Sequence, residues 1–274
     1  MRLWRFGDEP IMMIRRLARL ASIFIVLVLT APGGDARDIG RGYLDAAHAV
    51  DPSKFLPAPP APGSAAFADD QYAFEFTRTL KGSKRWLLAE QDNKSDLASL
   101  AADFSCALGF ALDRKHAPQF FTLIGKTGTD IGHTVGTGKK FFARLRPLVG
   151  NDAPICIERG DIAKSYAYPS GHTTQGWTFT LILAELVHDR ADEIAARGRA
   201  YGESRVVCGV HWASDVAAGR VAASTLVAAL HGSKAFRADM DRARKEIAAF
   251  RKSAPRPDPK SCTVVNAAAA KQPW

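Results

Sequence analysis

Three short segments of the chain combine basic residues or histidine with glycine, proline or a carboxylate, in surroundings that are otherwise apolar. They are Lys139 through Arg146-Pro147, then Pro169-Ser170-Gly171-His172, then Ser204-Arg205 with His211 and Asp215. Taken singly, each of these residues is typical of a surface, a helix cap or a core. Together they predict a site that binds an anion and performs nucleophilic or acid–base chemistry on it.

The second segment predicts a helix terminus that binds an anion. It opens residues 173–187, which are apolar on nearly every face and should form a central, buried helix. A helix N-terminus offers unpaired N–H groups and the positive end of the helix dipole, which favour a phosphate-like group. His172 lies in that first turn and therefore at the mouth of the same site.

The third segment supplies a nucleophile or base, and the first completes a set of cations. His211 and Asp215 are four residues apart, so on a helix they share one face. A carboxylate there can accept the proton of one imidazole nitrogen and leave the other nitrogen free to attack. Lys139, Arg146 and Arg205 add three cations, two of them forked donors that suit tetrahedral oxyanions.

These cations also bear on the question of a metal cofactor. Chemistry on a phosphate-like anion depends on in-line geometry and charge neutralisation, and three fixed cations can provide the neutralisation. The sequence shows no carboxylate cluster typical of Mg²⁺ or paired Zn²⁺ sites, so we predict no metal and no cofactor.

The elements that must position these residues are predicted to be helices, because alternating β-branched runs are almost absent. The predicted helices cover residues 67–91, 96–112 (capped by Ser95), 116–142 (with breaks at Gly125, Gly128, Gly132 and Gly136), 173–187, 191–201, 212–230 and 236–251. A proline-rich arm over 37–66 precedes them, and a proline-containing tail over 253–274 is expected to be disordered. The prediction is a single all-α domain over 67–252, a helical bundle around one buried helix.

Residues 1–36 resemble a secretory signal peptide. Arg15, Arg16 and Arg19 precede twelve apolar residues, and Gly34 and Ala36 suit a cleavage site. Twelve residues are too few for the roughly 20 of a membrane-spanning helix, and the later helices carry too much charge for stable membrane insertion. We therefore expect a periplasmic or secreted protein.

Composition excludes several other classes. With 47% hydrophobic and 24% charged residues, the chain has an ordinary globular composition. The net charge is +9, of which about +7 lies after residue 36. That charge attracts small anions, but no basic stripe with interleaved aromatics predicts nucleic-acid binding.

Four cysteines remain after residue 36: Cys106, Cys156, Cys208 and Cys262. In an oxidising compartment they allow two disulfides in any of three pairings. Free buried thiols fit the sequence equally well.

The three segments resemble the signature of the type 2 phosphatidic acid phosphatase superfamily, which includes vanadium-dependent haloperoxidases and glucose-6-phosphatase-like membrane enzymes. Residues 104–109, residues 202–212 and the prolines at 55–63 are similar to bacterial class A non-specific acid phosphatases. The resemblance spans about residues 40–250 and implies the helical fold shared by these phosphatases and haloperoxidases. Ala167 departs from the family, which usually carries serine there.

The resemblance also implies a role for each matching residue. His211 would attack phosphorus and form a phosphohistidine, oriented by Asp215, while His172 would protonate the leaving group. Lys139, Arg146, Arg205 and Ser170, with the backbone N–H groups of Gly171 and His172, would bind the phosphate oxygens. The implied activity is a metal-independent acid phosphatase acting on small phosphate monoesters, with phosphotransfer to alcohols or nucleosides as a side activity.

Two alternatives remain at this stage. A vanadate-dependent haloperoxidase would use the same anion cradle for a bound cofactor, although the flanking matches favour the phosphatases. A phosphate-binding protein without turnover would leave the pair His211–Asp215 and His172 unexplained. The sequence leaves open the preferred ester and whether the protein is a homo-oligomer.

Overall fold

Ten α-helices make up most of the regular structure in residues 41–270 and 272–274, the part of the chain that the computed structural model describes. They are α1 (Ala65–Arg78), α2 (Lys84–Gln91), α3 (Leu97–Asp103), α4 (Ser105–Leu108), α5 (Pro118–Phe142), α6 (Gly171–Leu186), α7 (Ala191–Val207), α8 (Ala213–Leu230), α9 (Lys234–Phe250) and α10 (Pro259–Ala269). These described residues contain no strand and belong to one compact unit. The all-α prediction is confirmed, whereas the predicted signal peptide lies outside the described residues.

The predicted central helix is α6, which packs against α5, α7, α8 and α9. Its close approach to α7 depends on two glycines. A methyl group at Gly176 would overlap the ring of Tyr201, and one at Gly198 would overlap the side chain of Thr180. The two helices therefore lie nearly backbone to backbone, and this contact places the start of α6 beside the end of α7.

Two predicted helices are each divided in the structure. Residues 67–91 form α1 and α2, separated at Gly82, and residues 96–112 form α3 and α4, which ends at Gly109. Both glycines have φ near +80°, a conformation that ends a helix and that other residues rarely adopt. The predicted cap Ser95 is wrong by one residue, because the Asp96 carboxylate accepts the first free N–H groups of α3.

Two other helices are longer or more regular than predicted. α5 runs unbroken because its apolar face is buried, while Gly128, Gly132 and Gly136 share the exposed face. α7 continues six residues past Tyr201 to Val207, so Arg205 lies in its last turn. Each departure reflects tertiary burial, which outweighs local helix propensity.

The ends of the domain differ in how well they match expectation. Residues from 41 to the start of α1 form an arm on the helices: Asp130 accepts the N–H groups of Tyr43 and Leu44, and Tyr168 donates to the Pro57 carbonyl. The expected disordered tail instead contains α10, joined to α4 by a disulfide between Cys106 and Cys262. That covalent link holds a segment whose prolines alone favoured disorder.

α8 is long and apolar enough to span a membrane by length and composition alone, with a mean hydropathy of 1.2 over 18 residues. In the fold it packs against α1, α5, α6 and α7, and its Asp215 is completely buried. These contacts make α8 part of the core around the candidate site.

Candidate active site

The buried imidazole of His211 is held at both nitrogens. Nδ1 lies 3.1 Å from Oδ2 of Asp215, and Nε2 lies 2.9 Å from Nη1 of Arg146. Because a guanidinium can only donate, Nε2 is the accepting nitrogen, and this assigns the ring proton to Nδ1. His211 therefore presents a nitrogen lone pair toward a cation.

His211 and Asp215 do not share one face of a helix, as the sequence predicts, but are joined by a turn. His211 precedes α8, while Asp215 is the third residue of that helix and also accepts the Trp212 N–H at 2.9 Å. The carboxylate thus caps the helix start and binds the imidazole with the same oxygen. Spacing of four residues still brings the pair together, through a capped helix start rather than a full turn.

His172, the second residue of α6, faces the site with one free nitrogen. Its ring stacks on Tyr201, with centroids 4.4 Å apart, and donates a hydrogen bond to the backbone of Asp92. Its Nε2 is buried and has no hydrogen-bond partner among the described residues. This ring nitrogen is therefore free to interact with a group bound in the site.

Three elements deliver the predicted cations. Lys139 in the last turn of α5 donates to the Ser165 hydroxyl at 3.1 Å. Arg146, in the loop after α5, donates to the Ser165 and Val210 carbonyls, each at 2.7 Å. Arg205 in the last turn of α7 donates to Asn93 Oδ1 at 2.8 Å, and its buried Nε has no partner within the described part of the chain.

Ser170 and Gly171 form the start of α6. The Ser170 hydroxyl accepts the Thr173 N–H at 3.3 Å, and the Ser170 N–H donates to the Asp215 carbonyl at 3.0 Å. A Cβ on Gly171 would lie 3.0 Å from Val135, so this turn packs tightly on α5. The second and third segments are therefore joined by the backbone, and the structure brings all eight predicted site residues together.

The surroundings shift the pKa of each titratable site residue. Burial is the main cause that lowers the pKa of His211 well below its usual value, and the charge of Arg146 adds to it. Burial likewise lowers the pKa of His172, with a further contribution from Arg205. Burial and then Arg146 lower the pKa of Lys139 to about 8. Burial raises the pKa of Asp215 to about 6, an effect that Arg144 opposes. The site therefore favours neutral histidines until an anion is bound.

Sequence reasoning missed three residues that hold the predicted ones in place. Arg144 donates to Asp215 at 2.6 Å, Ser165 joins Lys139 to Arg146, and Asn93 holds Arg205. A signal for Arg144 was present in the sequence, because it lies two residues before Arg146. In the structure the intervening Leu145 is exposed. Alternation of this kind directs two side chains inward from one loop. Ser165 and Asn93 carry no comparable pattern.

Within the described residues, no group of three or more His, Cys, Asp or Glu side chains is arranged to hold a metal ion. The charges that face the two histidines are instead those of Arg146, Arg205 and Lys139.

Comparisons with known proteins place the chain in a family. Residues 120–237 match the PAP2 superfamily. The chain is 46% identical over 220 residues to an acid phosphatase of Zymomonas mobilis, covering 80% of this chain and 83% of that protein. It is 35% identical over 213 residues to a non-specific acid phosphatase of Providencia stuartii (77% and 86%) and 34% identical over 196 residues to one of Salmonella typhimurium (70% and 78%). The chain therefore belongs to the PAP2 superfamily, among its bacterial acid phosphatases.

Proposed function

We propose that this chain is an exported phosphomonoesterase that hydrolyses small phosphate esters through a phosphohistidine on His211. The observation that carries the proposal is the state of its imidazole. Asp215 holds the proton on Nδ1, while Nε2 faces a cation inside a buried site. A neutral nitrogen nucleophile beside fixed positive charge is suited to attack a phosphate that would otherwise be repelled.

In the first step, Nε2 of His211 attacks phosphorus, forming a P–N bond as the P–O bond to the leaving group breaks. His172 donates its proton to the departing alkoxide, and Asp215 stabilises the positive charge on the phosphorylated imidazole. Lys139, Arg146 and Arg205 neutralise the equatorial oxygens, which is where charge is concentrated during phosphoryl transfer.

In the second step, His172 accepts a proton from water as the water oxygen attacks phosphorus. The P–N bond breaks, and inorganic phosphate leaves the neutral His211. An alcohol or nucleoside hydroxyl in place of water would give the phosphotransfer side activity. Relatives named non-specific acid phosphatases support broad specificity for the leaving group.

Export rests on separate observations. The four cysteines pair as Cys106–Cys262 and Cys156–Cys208, and such bonds persist in oxidising compartments. The sequence of residues 1–36 supports the same location. Phosphatase activity released by osmotic shock or found in the medium would confirm export, whereas activity retained in the cytoplasm would contradict it.

The mechanism is tested by His211→Ala, with His116→Ala as the matched control. His116 also pairs through Nδ1 with a carboxylate, Asp113, but this pair is about half exposed. We expect His211→Ala to fold and to lose activity by about 10⁴-fold or more. Alkaline quenching during turnover, which preserves the acid-labile P–N bond, should trap phosphohistidine in the wild type and the control only. Activity near wild type in His211→Ala would overturn the mechanism.

A further inference from the structure

A buried arginine lies behind the carboxylate that holds His211. Arg144 donates through Nη1 to Oδ1 of Asp215 at 2.6 Å and through Nη2 to Oδ2 of Asp70 at 2.7 Å. The side chains of Asp70 and Asp215 are 2% and 0% exposed, and that of Arg144 is 8% exposed. One guanidinium therefore bridges two carboxylates that are removed from water.

The second carboxylate is itself fixed by the turn that starts α8. Asp70, from α1, accepts the Ser214 N–H at 2.8 Å and the Ser214 hydroxyl at 2.5 Å. Ser214 immediately precedes Asp215. Asp70 and Arg144 therefore bind two successive residues of the turn that carries the catalytic carboxylate. The chain of contacts runs from α1 through the loop after α5 to His211.

We propose that Arg144 and Asp70 are a positioning pair for the phosphoryl transfer described above, acting on His211 through Asp215 rather than by a hydrogen bond to the imidazole. The two oxygens of Asp215 have separate partners: Oδ2 serves His211 and the Trp212 N–H, and Oδ1 serves Arg144. Arg144 therefore lies on the far side of the carboxylate from the imidazole. It fixes the carboxylate plane and so the direction of the Nδ1–H bond.

The charge balance explains why an arginine occupies this position. Two buried carboxylates close together would each resist ionisation, and a neutral Asp215 would no longer orient the accepting imidazole. A forked guanidinium can bind both carboxylates at once, which the single ammonium of lysine cannot do. Arg144 also opposes the effect of burial on the pKa of Asp215.

The inference rests on the proposed phosphatase mechanism, and a double-mutant cycle separates the two. Arg144→Gln, Asp215→Asn and the double variant are compared in kcat and KM on one phosphate ester. We expect Arg144→Gln to lower kcat about 10- to 100-fold with KM nearly unchanged, and to lower it by less than about twofold when Asp215 is already Asn. Losses that multiply in the double variant would overturn the inference, even while His211→Ala remains inactive and upholds the mechanism.

The pH profile gives a readout that a purely structural role would not move. Loss of Arg144 raises the pKa of Asp215, so the carboxylate is protonated at higher pH. The acid limb of kcat/KM should therefore move up by about one pH unit or more. Arg144→Lys should recover only part of the rate. An unmoved limb, or full recovery by lysine, would contradict the forked positioning role.

Arg199→Gln is the matched control, because Arg199 pairs with the buried carboxylate of Glu203 and touches neither His211 nor Asp215. It should leave kcat unchanged. If Arg144→Gln fails to fold, Asp70→Asn replaces it in the cycle, since it keeps the side-chain shape and removes the second charge. Non-additivity with Asp215→Asn supports the inference, and additivity overturns it.

Discussion

The surroundings shift the pKa of the two site histidines in the same direction, although the reaction requires them in opposite protonation states. Burial and nearby arginines lower the pKa of both His211 and His172 well below the usual value. His211 is therefore already neutral at acid pH, which leaves the ionisation of Asp215, with a pKa of about 6, to set the acid limb of the rate profile. His172 must hold a proton, so its alkaline limb also lies low. We expect an optimum at roughly pH 5–6.5, measured as kcat/KM against pH, and an alkaline optimum would contradict this assignment.

The assignment of His172 as general acid predicts a dependence on the leaving group. In His172→Ala, hydrolysis of an alkyl phosphate should fall by about 10²-fold or more, because its alkoxide needs a proton. Hydrolysis of p-nitrophenyl phosphate should fall much less, since its phenolate leaves unaided. The exposed His188→Ala serves as the control and should keep both rates. Equal losses on the two substrates would exclude His172 as the acid.

The cationic cradle predicts the response to chelators and to vanadate. If Lys139, Arg146 and Arg205 neutralise the phosphate, EDTA should leave the rate unchanged. Orthovanadate should inhibit, because its trigonal bipyramidal form mimics the transition state and can bond to His211. A rate lost in EDTA and restored by a divalent metal would show that the cations do not suffice. Peroxide-dependent halide oxidation with vanadate would instead favour a haloperoxidase.

Some of the site residues could be predicted from the sequence and others could not. Those in the three segments were predictable because their residue types and short spacings already define the chemistry. Arg144 carried a signal in its spacing from Arg146, but Ser165 and Asn93 did not, since their roles exist only through contacts with residues 26 and 112 positions away. Such contacts depend on how helices pack, which no local pattern encodes.

At the scale of helices, alanine substitutions at the glycines between α6 and α7 should separate an effect on stability from an effect on catalysis. Gly176→Ala should push on Tyr201 and thereby shift the stacked His172, whereas Gly198→Ala should push on Thr180, away from the site. Each overpacking should cost about 1–3 kcal/mol in the free energy of unfolding. Only Gly176→Ala should also lower kcat of the folded enzyme on alkyl phosphates. Equal kcat in the two variants would show that Tyr201 does not position the acid.

The glycines of α5 provide the opposite case and a stability control. Nothing lies within 4 Å of a Cβ placed on Gly128, which is exposed in the middle of the helix. Gly128→Ala should therefore stabilise the fold by about 0.5–1 kcal/mol and leave activity unchanged. Thermal unfolding measures the change. A loss of stability would show that α5 needs this glycine for a reason other than space.

Helix boundaries illustrate what the sequence could and could not predict at this scale. The central helix was predictable, since apolar residues on every face leave only a buried position. The interruption at Gly82 and the continuity of α5 were not, because both sequences contain glycine in a helical pattern. Whether a glycine ends a helix depends on what its neighbours bury, and that is decided by the assembled core.

At the scale of the whole molecule, the all-α class was predictable from periodicity, but the cysteine partners were not. Cysteine spacing left three pairings and free thiols open, because which sulfurs meet is set by tertiary packing. The structure pairs α4 with α10, and the loop at Cys156 with the end of α7 at Cys208. The first bond joins α10 to the rest of the helices, and the second lies near the site.

The two disulfides predict different consequences of their removal. Cys106–Cys262 closes 156 residues and fastens α10, which contributes none of the eight site residues, so Cys106→Ser with Cys262→Ser should cost about 2–5 kcal/mol in the free energy of unfolding. The folded fraction should keep its kcat. Cys208 follows Arg205 by three residues and precedes His211 by three, and Cys156 also donates its N–H to the Cys208 carbonyl.

Replacing both Cys156 and Cys208 by serine should therefore lower kcat as well as stability, because that bond holds the turn between a phosphate-binding cation and the nucleophile. Denaturant unfolding gives the stability of each variant, and kcat per folded molecule gives the activity. Removal of the disulfide at α10 could instead reduce kcat as much as removal of the disulfide at Cys208. In that case α10 would have to act on the site itself, and site positioning could not be assigned to only one of the two disulfides.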